Sequence, residues 1–140
     1  MALELRAAVL IVSPASTPTA DLMTRDDVLD LCTALPGAVE DYPFGEGVAV
    51  FKVGGRMFAL VPLEGSPGSV NLKCDPDLAL ELRARYKSVR PGYHQNKRHW
   101  NTVELDGSIE DSELRWMIHH SYELVVANLP RAARGRLHSS

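Results

Sequence analysis

The sequence predicts a single α+β domain, a two-layer sandwich in which an antiparallel sheet carries helices on one face. Three observations lead there. The elements read in the order α-β-β-β-α-β-α, with no regular β-α-β alternation. A Gly-Gly pair between two β-branched runs marks a tight hairpin at the centre. The expected helices each carry one apolar stripe, which needs a common surface to cover. At 140 residues, 45% hydrophobic and 24% charged, the chain is long enough for one core and too short for two ordinary domains.

Residues 1–22 stand apart from this pattern. "AAVLIVSPASTPTA" offers a short apolar run whose neighbours Glu4 and Arg6 cancel, so it has neither the cationic start of a secretory signal nor the length of a membrane anchor. The Ser/Thr/Pro/Ala stretch Ser13–Ala20 makes 1–22 a flexible extension, with Met23 as a candidate start of translation. The expected domain covers 23–131, and 132–140 is a basic C-terminal tail.

Thr24 with Asp27 forms a capping-box pattern, and Val28, Leu31, Cys32 and Leu35 follow at helical spacing until Pro36-Gly37 ends the run. "VEDYPFGEG" reads as a loop. "VAVFKV" and "RMFALV" flank Gly54-Gly55 as hairpin strands. Val70, Leu72 and Cys74 alternate with Asn71 and Lys73 in a third strand with one buried and one polar face.

Asp75-Pro76 then starts a helix, as N-cap and first-turn proline, with Leu78, Ala79, Leu82 and Tyr86 on its apolar side. "WNTVEL" gives a fourth strand, with Val103 and Leu105 on one face and Trp100, Thr102 and Glu104 on the other. Ser108 with Asp111 caps the last helix, whose stripe is Leu114, Met117, Ile118, Ser121, Leu124 and Val125. Trp116 falls off that stripe and is expected to be exposed unless the N-terminal extension or a partner covers it, coverage by the extension being the simpler arrangement.

Net charge is −3, so bulk charge does not favour polyanions. The distribution does. From Arg83 to Trp100 the chain carries Arg83, Arg85, Lys87, Arg90, Lys97 and Arg98, two histidines and no acid. Lys and Arg hold phosphates, and Tyr93, His94, Asn96, His99 and Trp100 among them offer stacking or hydrogen bonds to sugars and bases. Six phosphate contacts on duplex DNA would give a slope of log affinity against log salt of roughly −5. Arg131, Arg134 and Arg136 add to the same field. The competing scaffold reading makes the cations a solvated face, Tyr93 and Trp100 aromatic plugs, and Asn96 and Asn101 turn formers.

Catalytic and metal chemistry find less support. No G-x-S-x-G, P-loop, G-x-G-x-x-G or H-E-x-x-H occurs, so no enzymatic activity and no cofactor are expected. His94 and His99 lack a helical metal-pair spacing and sit among cations. His119 and His120, roughly 100° apart on a helix, diverge. Cys32 and Cys74 lie in apolar patterns and read as buried, reduced thiols of a cytoplasmic protein. Two alternatives remain. Asp26, Asp27 and Asp30, with Glu40 and Asp41 nearby, form an oxygen-rich cluster of the kind hard cations prefer, although acids in a first turn also suit the helix dipole. The His94/His99 loop is the other candidate, as a pocket for a small anionic ligand.

"LPGAVEDYPFG", "VAVFKVGGRMFALV", "NLKCDPDLALELR", "RPGYHQNKRHWNTVELDGS" and "HHSYELV" together resemble the MmcQ/YjbR family over about Thr24 to Arg131. The resemblance implies a CyaY-like (frataxin-like) α+β fold and a label of DNA-binding protein with a "double wing"; it implies no enzymatic activity, catalytic residue or cofactor. It carries over onto Tyr93, His94, Asn96, Lys97, Arg98, His99, Trp100 and Asn101, with Gln95 where many members have Met. The expectation is therefore a DNA-binding module in the cytoplasm, not associated with membranes and taken as a monomer.

Overall fold

The computed structural model describes residues 23–92 and 95–139. The expected extension over 1–22, together with Tyr93 and His94, lies outside them. In chain order the elements are α1 (Arg25–Ala34), β1 (Val39–Asp41), β2 (Val48–Val53), β3 (Arg56–Pro62), β4 (Ser69–Lys73), α2 (Pro76–Arg85), β5 (Val89–Pro91), β6 (Trp100–Glu104), α3 (Asp111–Ala127) and α4 (Arg131–Ser139). The six strands form one sheet in the order β1-β2-β3-β4-β6-β5, antiparallel at every junction.

Local chemistry sets most boundaries. The Thr24 hydroxyl accepts from Asp27 N while the Asp27 carboxylate accepts from Thr24 N, closing the capping box of α1. Gly54 and Gly55, at φ 59° and 81°, both occupy the left-handed region that a type I′ turn demands. Asp75 caps α2 by accepting from Leu78 N.

The seven-element order expected from sequence needs correcting to ten. Part of the 39–47 loop pairs as β1, Val89–Pro91 pairs as the opposite edge strand β5, and the basic tail is a helix. Leu137 holds α4 in place, standing so close to Gly37 that a Cβ there would meet its Cδ2 at 2.2 Å. Ser108 does not cap α3; Glu110 occupies the N-cap without a side-chain bond, and the Ser108 hydroxyl donates to the Asp106 carboxylate and shares a hydrogen bond with the Ser88 hydroxyl instead.

The sheet has two unequal sides. Phe51, Val53, Val61, Val70, Leu72 and Val103 share one large core with Val28 and Cys32 of α1, Ala79 and Leu82 of α2, and the buried side of α3. Residues of opposite parity, Val50, Leu60 and Trp100, form a second, smaller cluster with no helical member. The polar parity of β4 is not a solvent face. Asn71 is buried there and accepts a hydrogen bond from the Thr102 hydroxyl across β4 and β6.

A bulge in β3 organises the contact between sheet and helix. Phe51 pairs with Ala59 and Lys52 with Met57, which leaves Phe58 as the extra residue and turns both Phe58 and Ala59 into the main core. Beyond this point β3 and β4 no longer meet, since their register covers only Ala59↔Leu72 and Leu60↔Asn71. Ser121 of α3 fills the gap. Its hydroxyl donates to Phe58 O at 2.5 Å and accepts from Lys73 N at 2.8 Å, so a side chain replaces the missing rung. No helix among the described residues is long and apolar enough to cross a membrane.

Candidate nucleic-acid interface

The basic segment leaves α2, forms the edge strand β5 and returns as β6. Between the two strands, three backbone hydrogen bonds tie the described residues. Gly92 N donates to Trp100 O at 2.8 Å, Gln95 N to Gly92 O at 3.4 Å, and His99 N to Asn96 O at 3.2 Å. The Asn96 carboxamide accepts from Arg98 N at 2.9 Å, the local turn that its residue type favours.

The six cations separate into two kinds. Arg83 leaves the surface: its Nε donates to Asn101 Oδ1 at 2.7 Å, and its Nη2 donates to the carbonyls of Lys97 and Trp100. Arg90 pairs with Glu104 at 3.0 Å on the neighbouring strand. Arg85 lies 5.8 Å from the Tyr86 ring centroid. Lys87, Lys97 and Arg98 are exposed and have no carboxylate partner among the described residues; Lys97 Nζ reaches only Gly92 O, at 3.4 Å. Of the six groups read as one phosphate-binding set, one is a structural anchor and one is neutralised by an acid.

The aromatic and amide members divide similarly. Trp100 is buried in the small cluster with Val50 and Leu60, which is the plug reading. Asn101 is not a turn former. It is a strand residue only 2% exposed, held by Arg83, and its Nδ2 has no partner among the described residues. Asn96, Lys97, Arg98 and His99 remain together on the turn, Asn96 and His99 bordering a cleft of about 410 Å³. The other side of the cleft comes from Lys73 at the end of β4, the N-cap Asp75 and Asn128 after α3.

Sequence reasoning did not bring Lys73, Asp75 and Asn128 to this site. Asp75 carries a clear signal, but as a helix cap, and no linear spacing joins the three.

Nucleophilic chemistry is disfavoured by burial. Desolvation pushes the Cys32 thiol up to about 12 and the Cys74 thiol to about 11, so neither is a thiolate near neutral pH. Burial lowers the His120 pKa, and its ring stacks on Trp116 at 4.8 Å with 8° between planes. Trp116 is 47% exposed, as its place off the α3 stripe requires. In the acidic cluster of α1, Asp26 and Asp27 fall in the first turn. Among the described residues no three His, Cys, Asp or Glu side chains converge to hold an ion, and the Asp27 carboxylate, its pKa lowered by hydrogen bonds from Thr24, is engaged in the cap.

Residues 33–124 match the family model described as YjbR. This chain belongs to the YjbR family. Its YjbR domain is similar to the uncharacterised protein YjbR of Escherichia coli (strain K12), with 38% identity over 80% of this chain and 95% of that protein. It is also similar to the uncharacterised protein YbdF of Escherichia coli O157:H7, 40% identical over 76% of this chain and 88% of the relative. Among solved structures, a Deinococcus radiodurans protein with a DUF419 domain superposes at a TM-score of 0.78, with 40% identity over 82% of this chain and 88% of that one. A Pseudomonas syringae protein does so at 0.65, with 27% identity over 74% and 99%. The YjbR domain is thus a mixed α+β unit built on an antiparallel sheet of six strands.

Proposed function

We propose that this protein is a non-enzymatic module that binds nucleic acid, DNA in the first instance, through the turn 95–99 at one end of β5 and Lys87 at the other. One observation carries the reading. Arg83 satisfies the carbonyls of Lys97 and Trp100 from inside, so Lys97 and Arg98 are displayed on a preset backbone with no acid among the described residues to neutralise them. A pair of cations on this tied backbone, beside His99 and Asn96, suits phosphate contact. The contact set is smaller than six: Lys87, Lys97 and Arg98 imply a salt slope of roughly −3.

We also assign the fold to the CyaY-like class, on the basis of the helices sharing one core with one side of the sheet. The cytoplasm is the matching location, since the two buried cysteines are unpaired. The cleft beside His99, a concavity rather than a flat ridge, favours a second reading in which a small anionic ligand binds there.

Fluorescence anisotropy of a labelled duplex across a salt series tests the primary reading. The expected result is a slope of roughly −3, reduced by about 2 in Lys97→Ala with Arg98→Ala. Affinity indifferent to salt, or to the double substitution, overturns it.

A further inference from the structure

The cleft beside the turn holds more chemistry than phosphate contact requires. Its walls are fixed from three directions. Cys74 N donates to His99 O at 2.7 Å, joining the end of β4 to the turn. Asp75 Oδ2 is held by Leu78 N at the start of α2, at 3.3 Å. Asn128 Nδ2 donates to Leu124 O at 2.9 Å, and Arg56 Nη1 donates to Asn128 O at 3.1 Å.

These bonds leave a defined set of groups unspent. Lys73 Nζ, the second oxygen of Asp75, Asn96 Nδ2, the Asn128 carboxamide oxygen and the His99 imidazole have no hydrogen-bond partner among the described residues, and all five residues border the cleft together with Trp100. Lys73 also has no carboxylate partner there. One cation, one carboxylate oxygen, an amide donor and an amide acceptor beside the apolar lining residues Pro76, Trp100 and Leu124 suit a ligand with an anionic group, a planar ring, and both donors and acceptors on the ring edge.

At about 410 Å³ the site lies at the small end of ligand pockets, roughly 300–1,000 Å³, which suits one ring system with its phosphate. A base inside an intact duplex presents no such unit until it is unstacked.

We infer that the cleft takes one unpaired nucleotide, its phosphate on Lys73 and its base against Trp100 with the edge toward Asp75 and Asn128. This rests on the nucleic-acid reading and narrows it: the partner carries a single-stranded or frayed nucleotide next to the phosphates held by Lys97 and Arg98.

Trp116→Phe leaves Trp100 as the single tryptophan of the chain and alters an exposed position. In that background, titration with adenosine 5′-monophosphate is expected to change Trp100 fluorescence saturably, with affinity lowered about five-fold or more by Lys73→Gln, the loss of one charge-assisted contact. Thermal unfolding of both variants establishes that they fold. No saturable change, no effect of Lys73→Gln, or an equal affinity for inorganic phosphate overturns the inference. Salt-dependent duplex binding without any nucleotide response removes the cleft assignment alone. A Lys73-dependent nucleotide response without duplex binding removes the surface reading and leaves the cleft as a nucleotide site.

Discussion

Arg83 Nε donates to Asn101 Oδ1 at 2.7 Å, linking the end of α2 to a buried carboxamide in β6. With its contacts to two turn carbonyls, this guanidinium is the inner support of the basic turn. Arg83→Ala leaves the Asn101 oxygen without its donor and is expected to cost about 1–3 kcal/mol. Arg83→Lys does not restore it, because a compact ammonium cannot reproduce the planar fork. Urea denaturation measures both; undiminished stability in Arg83→Ala refutes the anchor.

Ser121 stands where the β3 bulge has removed a ladder bond. Ser121→Ala strands Phe58 O and Lys73 N in a region closed to water, and a loss of about 1–3 kcal/mol is expected by thermal or chemical unfolding. Ser121→Thr keeps the hydroxyl but forces a methyl against a fully buried site, so it recovers only part of that loss.

Glu104 restrains Arg90 through an exposed pair, so its contribution to stability is small. Glu104→Gln is expected to change unfolding free energy by less than about 1 kcal/mol. If DNA reaches this edge, the same substitution releases a cation and steepens the salt slope by about 1. An unchanged slope places Arg90 outside the contact surface.

Both thiols have folded-state pKa values above the ordinary 9.0, near 12 for Cys32 and near 11 for Cys74. The folded chain therefore holds these protons more tightly than the unfolded chain. Their contribution to stability is complete below pH 9.0 and is lost as pH rises from there toward 11 and 12. A thiol-specific reagent at neutral pH is expected to leave both cysteines unmodified in the native protein and to titrate both in denaturant. Rapid native labelling of either would contradict the burial.

What was readable in the sequence is what local chemistry dictates. Thr24/Asp27, Asp75-Pro76 and Gly54-Gly55 each specify a cap or turn within four residues, and each formed as expected. What escaped depends on distant partners. Val39–Asp41 and Val89–Pro91 are strands because a neighbour offers ladder bonds, and three residues are too few for periodicity to show. The tail is a helix whose Leu137 packs at Gly37, far away in sequence. The bulge at Phe58 and the hydroxyl that repairs it are equally nonlocal. At the site the run of cations was plain, but nothing in linear order reveals that Arg83 turns inward, or that Lys73, Asp75 and Asn128 meet His99.

Gly92 lies where the entering and returning strands of the basic segment cross. A Cβ there would stand 2.6 Å from Trp100 Cβ and 2.9 Å from its carbonyl oxygen, and the latter is stiff main chain. Hydrogen is the largest substituent that this crossing admits. One letter therefore serves as a diagnostic: a homologous segment bearing any side chain at that point has to route its cations along a different path, however well its charges align.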